Sequence, residues 1–456
     1  MIIIHAMDRL HTRLVALVLL SVGLAHARDE TLRERIDRLF APAIEGEWLT
    51  GAAVGVIDGE DTLVLGYGRG VGDEPPDGDT VYEIGSVSKT FTGTLLADMV
   101  ERGVVSLEDP VEGLLPKGVT VPKRKGKEVL LWHLSTHTSG LPRMPDNFTP
   151  KDPENPYADY SVAQMYAFVK KTKLARDPGA EYEYSNLGAG LLGHALALKA
   201  KMPYERLLEE RIRKPLGMTS TRIALTDDML RRLAPPCLAD GTPTKRWDFP
   251  TLAGAGGIRS TVNDMLAYLR ANLHPGDDDL GRAMKLAQTP RHDFPGGKIG
   301  LGWHITPDGG VWHNGQTGGY HSFIGFNPKT GRGVVILSNT GNGIVDGIGG
   351  KVLEILAGKK PKPPELPQPA RVAPEVLERY VGTYRGSGLE FTVTREEGRL
   401  YVQLTGQARF RVFAMGEREF VYRIVEARIT FDGEDEVTGL VLHQNGKDMP
   451  AARMDD

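Results

Sequence analysis

An α+β fold, with one antiparallel sheet flanked by helices and a small all-β domain behind it, is what this chain of 456 residues predicts. Three observations carry the prediction. β-rich runs stand at both ends of residues 28–358 with helical patterns between them, so the sheet must be assembled from distant segments. Residues 359–374 hold six prolines together with lysine and glutamate and little apolar content, the composition of a semi-rigid linker. Beyond it, Tyr380 to Met449 alternates short β-rich runs with turns and reads as a barrel or sandwich over residues 375–456.

Taken in order, the first element is an address. Arg9 and Arg13 precede the apolar run Leu14 to Leu20, and Ala25-His26-Ala27 offers small residues where a signal peptidase reads. The run falls short of the about 20 apolar residues a membrane span needs. Residues 1–27 therefore predict a cleavable secretory signal, with the mature chain starting near Arg28 and exported to the periplasm or beyond. Ala52 to Ile57, Asp58-Gly59 and Thr62 to Tyr67 form a β-hairpin pattern with an Asp-Gly turn. Tyr82-Glu83-Ile84-Gly85 is a short extended run ending in glycine, and Phe91, Leu95, Leu96 and Met99 then recur at helical spacing up to Gly103. Further helical patterns cover Val162 to Lys171, Leu187 to Ala200, Tyr204 to Arg213 and Val262 to Leu273. Strands return at Val311 to Asn314, His321 to Asn327 and Gly333 to Asn339, and a helix from Val345 to Leu356 closes the region.

Composition narrows the partners. With 40% hydrophobic and 25% charged residues the chain is ordinary globular material, and a net charge of −4 is too small to argue for nucleic acid or an anionic membrane. The basic cluster Lys123-Arg124-Lys125-Gly126-Lys127 reads as a solvated loop. Cys237, the single cysteine, cannot form an internal disulfide and reads as a small buried apolar residue.

The chemistry concentrates in Ser86-Val87-Ser88-Lys89. On a helix, positions three apart share a face, so the hydroxyl of Ser86 and the amine of Lys89 come within hydrogen-bonding reach. A serine hydroxyl needs a base to become a nucleophile, and lysine serves when burial or nearby positive charge lowers its pKa. Alone, this four-residue pattern is common, and a capping serine beside a solvated lysine explains it equally well. Two further elements change that reading: Tyr184-Ser185-Asn186 ahead of a helical pattern, and His313-Asn314-Gly315 between a strand and a glycine-rich turn. The same inspection sets aside Gly188, Gly190 and Gly193, which match a dinucleotide fingerprint by letter but follow no buried parallel strand and read as helix-packing glycines. His133 and His137 sit four apart, yet no further ligand pattern supports a metal there.

Ser-x-x-Lys, Tyr-x-Asn and His-x-Gly in this order resemble the serine β-lactamases and penicillin-binding DD-peptidases, most closely the class C β-lactamase branch with its peptidase and esterase relatives. The resemblance runs from about Glu30 to Leu356 and includes Leu107-Glu108-Asp109-Pro110, the segment His133 to Pro142, and Gly256-Gly257-Ile258-Arg259-Ser260-Thr261. It implies a metal-independent, cofactor-free hydrolase that forms an acyl-enzyme on Ser86. Lys89 or Tyr184 is then the general base, with the tyrosine phenol pKa lowered by the lysine, and the order of the motifs leaves open which. Asn186 is expected to hydrogen-bond Lys89 or the substrate amide. His313, standing where many relatives carry lysine, is expected to donate a hydrogen bond and carry charge near pH 6.5. Gly315 is expected to let substrate lie edge-on to its strand, and the N–H groups of Ser86 and Gln316 to form the oxyanion hole. The implied partner is a β-lactam or a D-Ala-D-Ala peptidoglycan peptide, and Asn155 to Tyr160 is similar to segments of peptidoglycan-trimming relatives. A carboxylesterase of the same fold and a catalytically silent penicillin-binding protein are the alternatives. No motif sets the oligomeric state or the role of the C-terminal module.

Overall fold

In the computed structural model, described for residues 30–433 and 436–454, eight antiparallel strands form the central sheet in the order β2-β1-β10-β9-β8-β7-β6-β5. The expected secretory signal lies outside the described residues. Strand β1 (Gly51–Asp58) pairs with β2 (Asp61–Gly68) through the Asp-Gly turn, Ala52 opposite Tyr67. A two-stranded sheet of β3 (Tyr82–Glu83) and β4 (Arg259–Ser260) stands apart from it. Short strands β5 (His292–Phe294), β6 (Gly297–Ile299) and β7 (His304–Ile305) extend one edge. The central strands β8 (Val311–Gln316), β9 (His321–Asn327) and β10 (Arg332–Ser338) lie between that edge and β1. Chain ends thus meet in the middle of the sheet, where β1 pairs with β10, Ala53 opposite Leu337.

Both faces of that pair are covered, which is why its residues read as continuous apolar runs rather than alternating ones. Ala52, Val54 and Val56 turn to one side with Val334 and Ile336, against Ile36, Leu39 and Phe40 of helix Leu32–Glu45 and Val345, Ile348 and Val352 of helix Ile344–Leu356. Ala53, Ile57, Val335 and Leu337 turn to the other, toward Phe91, Leu95 and Tyr268 in the larger core. The period-2 alternation of strand side chains makes this division. Helix Asn186–Ala200 is apolar almost all round because it is buried within that larger core. Gly190 and Gly193 let it lie against residues 252–254: a methyl on Gly190 would come within 2.4 Å of Leu252 Cδ2, and one on Gly193 within 3.0 Å of the Gly254 Cα.

The C-terminal strands, from Gly382–Gly386 to Lys447–Arg453, close into a barrel through the pairing of Tyr384 with Arg453. Tyr384, Phe391, Phe420, Ile429 and Phe431 fill it. The proline-rich segment before it is docked rather than free: Trp48 Nε1 donates to the Pro367 carbonyl at 2.9 Å and Gln368 Nε2 to the Pro42 carbonyl at 3.1 Å. Arg411 and Arg423 of the barrel pin it to the first domain. Arg411 N–H donates to Asp240 Oδ2 at 2.9 Å, its guanidinium pairs with Glu47 at 2.7 Å, and the Arg423 guanidinium lies 4.1 Å from the Trp48 ring centre.

Candidate active site

Gly85 takes φ +49°, a left-handed turn that a side chain disfavours, and the chain passes from β3 through one tight turn at Gly85–Val87 into helix Ser88–Glu101. The segment Gly256 to Thr261 holds this corner. Ile84 N–H donates to the Ile258 carbonyl at 3.0 Å, and Ile258 N–H to Ser88 Oγ at 3.1 Å. Ser86 and Lys89 therefore share one face, with Lys89 Nζ 2.9 Å from Ser86 Oγ. Nζ also donates to the Ala255 carbonyl at 2.6 Å. Lys89 is 2% exposed. Burial, reinforced by the positive charge of Arg143, pushes its pKa well below the ordinary lysine range, which favours the free amine beside the hydroxyl.

Tyr184 arrives from the other side. His137, itself at φ +59°, accepts Glu183 N–H on its carbonyl at 2.7 Å and Ser185 N–H on Nδ1 at 3.1 Å, so the segment before Tyr184 is tied to His133–Pro142. Ser185 caps helix Asn186–Ala200 by accepting Gly188 N–H at 2.9 Å. The Tyr184 ring centre lies 4.8 Å from Lys89 Nζ and 5.1 Å from the Arg143 guanidinium. The expectation of a lowered phenol pKa is corrected here: burial raises it, and a hydrogen bond with Ser86 offsets this only in part. Asn186 does not reach Lys89 either. Its Nδ2 donates to Tyr157 Oη at 3.3 Å, while its Oδ1 is buried without a partner and is left for a group entering the cleft.

Strand β8 supplies the opposite wall, and one expectation changes on it. His313 is buried at 2% exposure, its ring 5.0 Å from that of His304, with Nδ1 2.5 Å from the Asn314 carbonyl oxygen. Burial and the neighbouring His304, Lys89 and His137 hold its pKa well below 6.5, so it is a neutral imidazole rather than a cation. Gly315 is required by the protein's own packing: a methyl there would lie 2.1 Å from the Ile84 carbonyl oxygen and 2.8 Å from Ser86 N. One on Gly85 would lie 2.7 Å from Gln316 N, so the Ser86 turn packs directly against the β8 backbone. Gly315→Ala is accordingly expected to push β8 off the Ser86 turn, costing about 1–3 kcal/mol by urea denaturation and most of the activity.

Ser86, Tyr184, Asn186, Asn314, Gly315 and Gln316 line a cleft of about 560 Å³ with Tyr157, Trp247 and Phe249 as an aromatic wall. Tyr157 stacks on Phe249 at 4.3 Å and lies 5.4 Å from Trp247. Residues that sequence reasoning passed over are Arg143, His304, Trp247 and the Ala255 carbonyl. Arg143 follows Gly140-Leu141-Pro142 directly, a signal that was available; a single histidine, tryptophan or carbonyl offers none. A larger hollow of about 690 Å³ between Trp48, Pro367 and the barrel contains no serine or cysteine. Cys237 is buried, with its thiol pKa pushed up.

His133 and His304 are both held down to about 4, chiefly by burial. Above the ordinary value of 6.5 both folded and unfolded chains leave them neutral, so pH has no effect through them. As pH falls from about 6.5 toward 4, the unfolded chain binds these protons first, and each group removes up to about 1.4 kcal/mol of stability per pH unit. The melting temperature is therefore expected to be flat above pH 7 and to fall through this acid window; replacing His133 with Gln should make that slope shallower.

A serine on the turn into a helix, with a lysine in that helix's first turn, facing a strand of an antiparallel sheet covered by helices, is the scaffold of the β-lactamase and DD-peptidase class. The chain belongs to the Beta-lactamase family, whose profile matches residues 36–359. It is 31% identical over 359 residues to the D-alanyl-D-alanine-carboxypeptidase/endopeptidase AmpH of Escherichia coli, covering 72% of this chain and 90% of that protein. It is 28% identical over 346 residues to a β-lactamase of Pseudomonas fluorescens, covering 68% and 93%. The fold is shared with the crystal structure of a β-lactamase/D-alanine carboxypeptidase from Yersinia pestis at a TM-score of 0.64 and 24% identity, over 72% of this chain and 98% of that one. The C-terminal barrel lies beyond the family match. Among the described residues no helix is long and apolar enough to cross a membrane.

Proposed function

We propose that this chain is an exported serine hydrolase that forms an acyl-enzyme on Ser86 and cleaves an amide of the D-Ala-D-Ala or β-lactam type. The single observation that carries the reading is the buried Lys89 amine, its pKa lowered, set 2.9 Å from Ser86 Oγ. Burial acts oppositely on the two candidate bases, favouring an uncharged lysine and an uncharged phenol. Lys89 is then the base and Tyr184 the proton donor. As Ser86 Oγ bonds to the carbonyl carbon, its proton passes to Nζ, and the oxyanion forms against the N–H groups of Ser86 and Gln316. When the C–N bond breaks, the leaving nitrogen takes the Tyr184 hydroxyl proton, which the Lys89 ammonium replaces. Water then attacks the acyl carbon, gives up a proton through the same pair, and Ser86 leaves with its own restored.

Similarity to a protein named as a D-alanyl-D-alanine carboxypeptidase supports the cell-wall amide as substrate, and a predicted signal over residues 1–27 would deliver the enzyme to it. The test is incubation of mature protein with a D-Ala-D-Ala peptide, a chromogenic cephalosporin and a short aryl ester, followed by mass spectrometry. Release of D-alanine and an adduct on the Ser86 peptide are expected. Cleavage of the ester alone would make it an esterase, and no turnover with no adduct would make it a silent relative.

A further inference from the structure

The hollow of about 690 Å³ between Trp48, Pro367 and the C-terminal barrel shares no lining residue with the Ser86 cleft. Trp48 alone of its lining residues belongs to the part of the chain that matches the family, residues 36–359. Its walls are tied together, so its shape is fixed in the folded chain. Trp48 Nε1 donates to the Pro367 carbonyl at 2.9 Å, Ala370 N–H to the Ala414 carbonyl at 2.8 Å, and Arg423 Nη2 to the Gly46 carbonyl at 2.6 Å. The Trp48 indole, the Tyr422 ring, Met415 and Val421 give it an apolar surface. Tyr422 is half-buried, and desolvation raises its phenol pKa, yet its hydroxyl has no hydrogen-bond partner among the described residues. Glu426, Gln444 and Asn445 also line the hollow, and among the described residues their side chains have no partner within the chain.

We propose that this hollow binds an uncharged oligosaccharide, its ring faces against Trp48 and Tyr422 and its hydroxyls on Tyr422, Glu426, Gln444 and Asn445. Charge argues against an ionic ligand. Glu426 and Asp448 balance Arg428 and Lys447 around the hollow, and two of the four are already engaged, Asp448 with His443 at 2.6 Å and Arg428 with Glu419 at 3.2 Å. An extended peptide has no strand edge to pair with, because the barrel is closed. A purely apolar ligand would leave the unpartnered phenol and amides desolvated without hydrogen bonds, which costs free energy. A sugar meets both demands. The carbon-bound hydrogens of its ring face pack on aromatic side chains, and its hydroxyls donate to a carboxylate and accept from a phenol or an amide. The volume is in the range of ligand sites.

The test is calorimetric titration of the full mature chain with cellotriose, with N,N′,N″-triacetylchitotriose and with trialanine. Saturable binding of at least one of the two sugars is expected, and trialanine is expected to bind more weakly. Binding of the chitotriose alone would assign the site to N-acetylated sugars, and binding of both to sugar rings in general. Tyr422→Phe removes one hydroxyl and Glu426→Ala one exposed carboxylate, so both variants should melt at the parent temperature. Each is expected to weaken sugar binding about fivefold, the loss of one hydrogen bond. Weakening in either variant places the sugar in the hollow. Unchanged affinity in both, no binding of either sugar, or tighter binding of trialanine would overturn the assignment. None of these readouts involves Ser86, so they stand or fall apart from the hydrolase reading.

Discussion

Replacing Ser86 with alanine is expected to abolish cleavage of D-Ala-D-Ala peptide, cephalosporin and aryl ester together, by about 10³-fold or more. The reason is geometric. Ser86 Oγ is the hydroxyl that Lys89 Nζ approaches at 2.9 Å, and the same turn packs against Gly315 and Gln316 of β8. Without Oγ no acyl-enzyme forms, while the cleft and its donors stay in place. The variant should therefore melt near the parent temperature, bind substrate, and show no adduct by mass spectrometry. Retention of ester cleavage alone would point to a second nucleophile. Lys89→Arg is the companion measurement: a side chain that stays protonated cannot accept the serine proton, so activity should be lost across the accessible pH range. In the parent, the rate should fall as pH drops through the lowered lysine pKa, because only the deprotonated amine acts as base.

The largest effect on stability is expected at Arg259, which is 3% exposed. Its guanidinium bonds Glu83 at 3.1 Å, Asp248 at 3.0 Å and the Ile223 carbonyl at 2.7 Å, and also donates to the Trp247 carbonyl. Glu83 accepts Trp247 N–H at 2.9 Å. One buried pair thus ties the strand entering the Ser86 turn to the segment carrying the aromatic wall. Arg259→Met leaves a buried carboxylate without its cation and is expected to cost about 3–5 kcal/mol by urea denaturation. Removing both charges, as Glu83→Leu with Arg259→Met, should recover much of that loss, whereas additive losses would show that the pair is not coupled.

Much of this was legible because it rests on local pattern. Helix Val162–Lys171 begins at Ser161 with Gln164 three residues on, a capping box that sequence displays openly. Helix Val262–Leu273 and strand His321–Asn327 likewise have the ends their periodicity predicts. The pattern over Tyr204 to Arg213 is continuous, yet the structure changes there from α-helix at Tyr204–Leu208 to a wider π turn at Glu209–Arg213, and side-chain spacing does not encode that. The first helix, Leu32–Glu45, went unread despite its Thr31–Glu34 capping box, since Pro42 interrupts its last turn. Strands β5 to β7, two or three residues each, are too short for alternation to show. Barrel closure depends on Tyr384 meeting Arg453, a pairing that no local signal specifies.

Within the site, the order of Ser86, Lys89, Tyr184, Asn186 and His313 along the chain was sufficient to point to the family, because spacing on a helix and glycine at a turn are local facts. Charge states were not contained in that order. The Tyr184 phenol was expected to be lowered and His313 to carry charge near pH 6.5, and burial shifts both against those expectations, while Lys89 is lowered as a base requires. Desolvation is set by what packs around a group from every direction, and the Ala255 carbonyl, the His137 ring and the Arg143 guanidinium come from segments far apart in sequence. The residue types and their order are properties of the chain; which proton sits on which atom follows from the environment that folding builds around them.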